Sequence, residues 1–197
     1  MKKFDYFKPK TLEEALTLFS KYGEKAKLIA GGTDVIVMIK QKTMDPDVLI
    51  SLRGIPGLDQ MKFNGFLSIG PMVTHRTIEK SEIIRKNFSA LTDAVDYLGS
   101  VQIRNVATIG GNICTAAPSA DTATPLLVLG TQVKIKSLKE GRTLSIEEFF
   151  KGPGETVLRP GEIVQELVIP KPLPNTGSAY YKLQRRLALD LPLLGVS

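Results

Sequence analysis

The chain has 197 residues, 43% hydrophobic and 23% charged, with a net charge of +6. This composition is ordinary for a globular chain and excludes wholesale disorder, and the length suits one large domain or two small α/β lobes. No apolar stretch approaches the roughly 20 residues that span a bilayer, and one Cys with one His is too little for a disulfide framework, a soft-metal site or an iron–sulfur cluster in this chain.

Phe4 to Phe7 reads as a short strand, and no apolar signal core follows the basic start Met1-Lys2-Lys3. Thr11-Leu12-Glu13-Glu14 is a capping box with Thr11 as N-cap. Leu12, Ala15, Leu16 and Phe19 then recur at helical spacing and stop before Gly23. Ala26 to Ala30 is an apolar strand that delivers the chain into Ala30-Gly31-Gly32-Thr33-Asp34. Val35 to Ile39, apolar all round, predicts a short buried helix started by Thr33 or Asp34. A turn at Asp45-Pro46-Asp47 leads to the strand Val48 to Leu52. Alternating strands and helices over residues 1–55 predict a small N-terminal βαβ lobe.

The pattern changes over residues 56–173. Asn64-Gly65, between Met61-Lys62-Phe63 and Phe66-Leu67-Ser68-Ile69, is a strong hairpin signal. Thr74 suits an N-cap, and Ala90, Leu91, Ala94, Val95 and Leu98 mark an amphipathic helix. An apolar run read as a strand leads into a second glycine pair, Thr108-Ile109-Gly110-Gly111-Asn112. Beyond it come a helix over Asp121 to Leu129, a strand over Val133 to Lys136 and a turn at Glu140-Gly141. A short helix near Ile146 to Phe150 and a strand over Ile163 to Ile169 complete the segment. The mixture predicts a larger α+β lobe with a mainly antiparallel sheet. Pro170, Pro172, Pro174 and Gly177 then read as a proline-rich linker, and residues 174–197 as linker and the start of a further domain. The strand Ala179 to Leu183 finds no partner in this reading, so a truncated C-terminal domain is expected to begin here.

The basic balance does not describe a nucleic-acid binder. Its cations are dispersed, the densest pair is Arg185-Arg186, and no aromatics interleave with them. An anionic cofactor or an acidic partner suits the charge better. The two glycine pairs supply a place for such an anion. Paired glycines let backbone N–H groups approach a ligand and form a concave donor site. A helix start directly after such a turn adds the favourable end of its dipole. The first run lacks the Rossmann glycine spacing and the lysine of a P-loop. Two such loops point to a diphosphate held between two halves of a fold.

The long run Gln102-Ile103-Arg104-Asn105-Val106-Ala107-Thr108-Ile109-Gly110-Gly111-Asn112-Ile113, with Ala117-Pro118-Ser119-Ala120-Asp121 behind it, resembles the signature of the FAD-binding medium subunit of molybdenum hydroxylases, the xanthine dehydrogenase and carbon monoxide dehydrogenase family. Ala30 to Asp34 is similar to that family's first FAD motif, and Gly70-Pro71-Met72-Val73-Thr74-His75 to its short central segment. The resemblance implies an α+β, two-lobed FAD-binding fold of the vanillyl-alcohol-oxidase-like type, with FAD in the cleft. It implies that Leu28, Ile29, Ala30, Gly31, Gly32, Thr33 and Asp34 wrap the diphosphate and ribityl chain, and that Thr108, Gly110, Gly111, Asn112 and Thr115 meet it from the second lobe. Asp121 is implied at a sugar, Ile163 and Val164 along the ring systems, and Lys182 near the polar edge of the isoalloxazine, where a cation favours an anionic reduced flavin. Leu191-Pro192 departs from relatives that carry an aromatic residue after the aspartate matching Asp190.

Each residue also has a plainer reading. Gly31-Gly32 alone is a common strand-to-helix turn, His75 a helix-start or packing residue, Cys114 a buried small hydrophobe. Asp121 suits a helix cap as well as a ligand, and Lys182 a solvated strand position. Arg104-Asn105 is expected to brace the loop by hydrogen bonds. The implied function is an electron-transfer flavoprotein subunit, cytoplasmic and without a catalytic side chain or metal of its own. It would pass electrons from a partner iron–sulfur subunit, in a complex with a molybdopterin subunit, to NAD, a quinone or oxygen. The alternatives are a free-standing FAD-dependent oxidoreductase binding its own substrate and a nucleotide-binding module without flavin.

Overall fold

The structure is a computed structural model that describes residues 3–185 and 190–197. Arg186 of the basic pair and the first two residues lie outside the described residues. The N-terminal lobe runs β1 (Asp5–Phe7), α1 (Leu12–Tyr22), β2 (Ala26–Ile29), α2 (Val35–Lys40) and β3 (Val48–Ser51), with a single 3₁₀ turn at Gly23–Lys25. Its three strands are parallel in the order β1-β3-β2. All four residues of β3 are buried, as a central parallel strand requires. Ala15 and Leu16 of α1 pack with Ala26, Val48 and Ile50 in this lobe's core. Thr11 caps α1 by accepting from the Glu14 N–H at 3.1 Å. The return bond is displaced by one residue, because the Glu14 carboxylate accepts from the Lys10 N–H at 2.8 Å.

α2 corrects two expectations. It is not buried all round: Ile39 is its buried residue, and Val37 is 46% exposed. Neither Thr33 nor Asp34 caps it, for Asp34 has αR backbone angles and makes no capping bond. The aspartate side chain is engaged elsewhere, as described below.

The second lobe begins with the hairpin β4 (Met61–Phe63) and β5 (Phe66–Ile69), turned through Gly65 at φ 72°. Six helices follow: α3 (His75–Glu79), α4 (Glu82–Asn87), α5 (Ser89–Asp96), α6 (Val101–Arg104), α7 (Ile109–Thr115) and α8 (Ala123–Val128). Thr74, Ser81, Ser100 and Thr108 N-cap α3, α4, α6 and α7 through their hydroxyls. Then come β6 (Gln132–Lys136), β7 (Gly141–Ser145), α9 (Ile146–Phe149), the two-stranded β8 (Phe150–Gly152) and β9 (Glu155–Thr156), and β10 (Ile163–Pro170). The main sheet is antiparallel throughout, in the order β4-β5-β10-β6-β7. The expected strand before the second glycine pair is the helix α6 instead, and β7 starts at the expected turn Glu140-Gly141 and runs over residues to which the sequence reading gave no element.

A β-bulge between Val164 and Glu166 links the two cores. Strict alternation would put Val164 and Leu167 on opposite faces. The extra residue resets the phase, so Val164, Leu167 and Ile169 all enter the second-lobe core while Ile163 packs into the first. After the prolines, β11 (Tyr181–Leu183) pairs antiparallel with β12 (Leu194–Val196), Lys182 facing Gly195. This corrects the expectation of an unpaired last strand. The return residues Leu193, Leu194 and Val196 carry no alternating pattern that marks them as a strand.

Candidate functional site

A cleft of about 750 Å³ separates the lobes. Leu28, Ala30, Gly31, Gly32, Thr33 and Asp34 line it from the first lobe; Thr108, Gly110, Gly111, Asn112, Thr115, Ile163 and Val164 line it from the other side. Ile29 lies beneath Gly32 rather than on the lining, and Asp121 and Lys182 are not on it either.

Local chemistry places the donors. The N–H groups of Gly31, Gly32, Thr33 and Asp34 donate to no carbonyl or side chain among the described residues. Three causes combine: β2 has ended, α2 has only begun, and no side chain caps it. Gly32 takes φ 81°, which turns the chain between strand and helix. Gly31 has a different task. A Cβ there would stand 2.1 Å from the Val106 carbonyl oxygen, so only glycine lets this loop touch the second lobe.

The second glycine pair is not a free loop but the opening of α7. Gly110 donates to the Pro71 carbonyl at 3.0 Å, and a Cβ on it would meet Pro71 at 2.4 Å. The Gly111 N–H is taken by the Thr108 hydroxyl oxygen at 3.1 Å. That oxygen keeps its own proton to donate. The Thr122 hydroxyl donates to Asn112 Oδ1 at 2.5 Å, which leaves the Asn112 amide N–H groups free for a ligand. The lobes are tied across the cleft by Thr115, whose hydroxyl lies 3.1 Å from Asp34 Oδ2 and 2.9 Å from the Gly111 carbonyl.

Lys27 and Arg159 also line the cleft and supply the cations. They escaped the sequence reading because one lysine in a strand and one arginine in a turn carry no local signal. Beside them, Glu162 is buried and takes two bonds of 2.8 Å from Arg142 and one of 2.8 Å from the Arg159 N–H. Hydrogen bonds from Arg142 hold the Glu162 carboxyl below its ordinary range. Arg104 behaves as expected of a brace: it donates to Glu79 at 2.8 Å and to the Leu98 carbonyl at 3.0 Å. Burial pushes the Cys114 thiol up to about 12, which keeps it unreactive at neutral pH.

Asp121 and Lys182 meet each other. Lys182 Nζ lies 3.2 Å from Asp121 Oδ1, and the Tyr180 hydroxyl donates to the same carboxylate at 2.7 Å. The Lys182 side chain is 1% exposed, so the solvated-strand reading fails, and Thr122 rather than Asp121 stands at the start of α8. Burial raises the Asp121 carboxyl and, with Asp121 beside it, the Tyr180 phenol.

His75 starts α3, but packing does not account for it fully. Its ring is fully buried with neither nitrogen hydrogen-bonded, although it lines the cleft. Burial, then the nearby Arg104 charge, pushes its pKa from 6.5 down to about 4. The unfolded chain therefore binds a proton near pH 6.5 that the folded chain refuses until about pH 4. Stability from this group is complete above pH 6.5 and drains away as the pH falls toward 4. Denaturant melts at pH 7 and 4.5 are expected to cost the wild type about 2–3 kcal/mol more than His75→Phe. Equal losses in the two would remove His75 as the cause.

Unspent amides on one wall of the cleft thus face a capped helix start on the other. Residues 2–172 match the family described as FAD binding domain in molybdopterin dehydrogenase. The chain is 35% identical over 200 residues to the nicotinate dehydrogenase FAD-subunit of Eubacterium barkeri, covering 99% of this chain and 68% of that one. It is 36% identical over 197 residues to the xanthine dehydrogenase FAD-binding subunit of Escherichia coli O157:H7, covering 96% and 66%. The fold superposes with a TM-score of 0.95 on a chain of carbon monoxide dehydrogenase from Hydrogenophaga pseudoflava, at 30% identity over 98% of this chain and 68% of that chain. The chain belongs to the FAD-binding family of molybdopterin dehydrogenases, and FAD is its cofactor. It spans about two thirds of the length of these relatives. The unspent amides, the Asn112 donor and the flanking cations fit a diphosphate, and the apolar arms fit flat rings. Among the described residues, no helix is long and apolar enough to cross a membrane.

Proposed function

We propose that the chain is the FAD-carrying electron-transfer subunit of a cytoplasmic molybdenum-containing dehydrogenase. Electrons would arrive from iron–sulfur clusters of one partner and leave to an external acceptor such as NAD, a quinone or oxygen. A molybdopterin subunit would oxidise the substrate. The observation that carries this reading is the row of unspent N–H groups from Gly31 to Asp34, facing Thr108 and Asn112 across the cleft.

Bound there, FAD supplies a redox centre that accepts electrons singly and releases them in pairs. The chain's own residues hold and shield it. Gly31 to Asp34 would donate to the diphosphate from the first lobe, and Thr108 and Asn112 from the start of α7. Each bond to a charged oxygen contributes roughly 1.5–3 kcal/mol. Leu28, Ile163 and Val164 would provide apolar walls for the rings. Through the resemblance, Asp121 is assigned to a sugar of the cofactor and Lys182 to the polar edge of the isoalloxazine.

Gly111→Asp tests the site. A Cβ at Gly111 would stand 3.0 Å from the Thr108 hydroxyl oxygen, which must give by a few tenths of an ångström, and the new carboxylate enters the cleft beside it. Repulsion of the diphosphate is expected to weaken FAD binding by about a hundredfold, with the fold retained by circular dichroism. Unchanged affinity in a flavin-fluorescence titration would sink the assignment. Co-purification of the wild type with iron–sulfur and molybdenum subunits tests the electron path.

A further inference from the structure

We propose that Thr122 is a positioning residue for the bound dinucleotide: its hydroxyl fixes the Asn112 carboxamide so that the N–H groups, and not the oxygen, face the diphosphate. This rests on the FAD reading of the cleft. Thr122 is fully buried and does not line the cleft itself. It stands immediately before α8, where a threonine ordinarily caps the helix with its side chain. Here it makes no capping bond. The hydroxyl reaches instead to Asn112 Oδ1, ten residues back, at 2.5 Å.

Asn112 needs such a partner. Its backbone is already fixed in α7, where its N–H donates to the Thr108 carbonyl at 3.0 Å. The helix does not orient the side chain, and the two ends of a carboxamide are alike in shape but opposite in chemistry. One orientation offers two donors to an anion; the flipped one offers an oxygen that repels it. Thr122 decides between them. The flipped amide would donate to the hydroxyl oxygen and strand the buried hydroxyl proton, for which Thr122 has no other acceptor among the described residues. With Oδ1 held, Nδ2 points the other way. It donates to no protein group among the described residues and, unlike the His75 nitrogens, is not closed to solvent. Asn112 itself is half-buried on the cleft lining.

The mount is rigid. Asp121, next to Thr122, accepts from the Tyr180 hydroxyl at 2.7 Å and pairs with Lys182 at 3.2 Å. The Thr122 carbonyl accepts from the Leu126 N–H at 3.2 Å. The Asp121–Lys182 cluster, which does not line the cleft, therefore steadies the residue that aims Asn112.

Thr122→Val removes the hydroxyl and keeps the branched shape. It is expected to weaken FAD binding about five- to tenfold, while Thr122→Ser stays within about twofold of wild type. A packing role predicts the reverse order, since valine fills the space and serine does not. ADP, which carries the diphosphate, should lose affinity for Thr122→Val as FAD does. Asn112→Ala is itself expected to bind FAD about tenfold more weakly. In that background Thr122→Val should add nothing, because its target is gone.

Wild-type FAD affinity in Thr122→Val, or an equal further loss in the Asn112→Ala background, would overturn the proposal. So would Thr122→Ser binding as weakly as Thr122→Val, or a loss for FAD that ADP does not share. If Thr122→Val does not fold, a crystal structure of the wild type with FAD decides. Asn112 Nδ2 beyond hydrogen-bond distance of every phosphate oxygen refutes the proposal, as does Oδ1 released from Thr122. FAD binding that is weakened by Gly111→Asp but not by Thr122→Val would refute this inference and spare the FAD site. Failure of the wild type to bind FAD would overturn both.

Discussion

Gly31→Ala is expected to unsettle the protein more than any other single-methyl change in the cleft. The added Cβ would stand 2.1 Å from the Val106 oxygen, 2.8 Å from the Val106 carbonyl carbon and 2.9 Å from Ala107 Cα. Ordinary carbon–oxygen approaches are about 3.3 Å or longer. All three obstacles are backbone, so no rotamer change relieves them. The loop or the 106–107 segment must withdraw by about 1 Å, and well-packed interiors resist such shifts at about 1–3 kcal/mol or more. A thermal melt is expected to fall by about 5–10 °C. The same withdrawal moves the donors of one lobe away from those of the other. FAD affinity should then fall by tenfold or more, since ligand geometry is shared across the cleft. A melt within about 1 °C of wild type and unchanged FAD affinity would show that the lobes do not need this contact.

Lys182→Met carries the second large effect. It strands the Asp121 carboxylate, which is 7% exposed, beside the Tyr180 hydroxyl with no cation. Breaking a buried pair from one side costs about 3–5 kcal/mol, far more than the pair contributes over apolar replacements. The expected fall in melting temperature is about 10 °C. Adding Asp121→Asn should restore most of it, because the amide oxygen still accepts from Tyr180 and no charge is left unpaired. If Lys182→Met melts like the wild type, the ion pair is not holding β11 against the segment before α8. FAD titration of the double variant then asks whether these two residues also touch the cofactor.

Much of the site was legible because its signals are local. A hydroxyl before a helix caps it whatever lies around it, and Thr11, Thr74 and Thr108 do so. Asn64-Gly65 names its own hairpin. The two glycine pairs, read together, located the cleft. The failures share one origin. Asp34 looked like a cap because its type favours that role, but Thr115 from the other lobe sits against its carboxylate. Lys182 looked solvated because a lysine in a strand usually is, yet Asp121, distant in sequence, lies 3.2 Å away. β12 has no periodic pattern and is a strand because β11 pairs with it.

Residue types at short spacings in the sequence pointed by themselves to an anion site between two halves of a fold, and the resemblance carried by its long motif gave the family and the cofactor. Only the tertiary structure decided which donors stay unspent, why Gly31 must lack a side chain, and that the lone histidine is buried without a partner. Those properties depend on what each polar group meets through space. A hydrogen bond is satisfied or left open by its neighbours in the fold, and no local pattern records which.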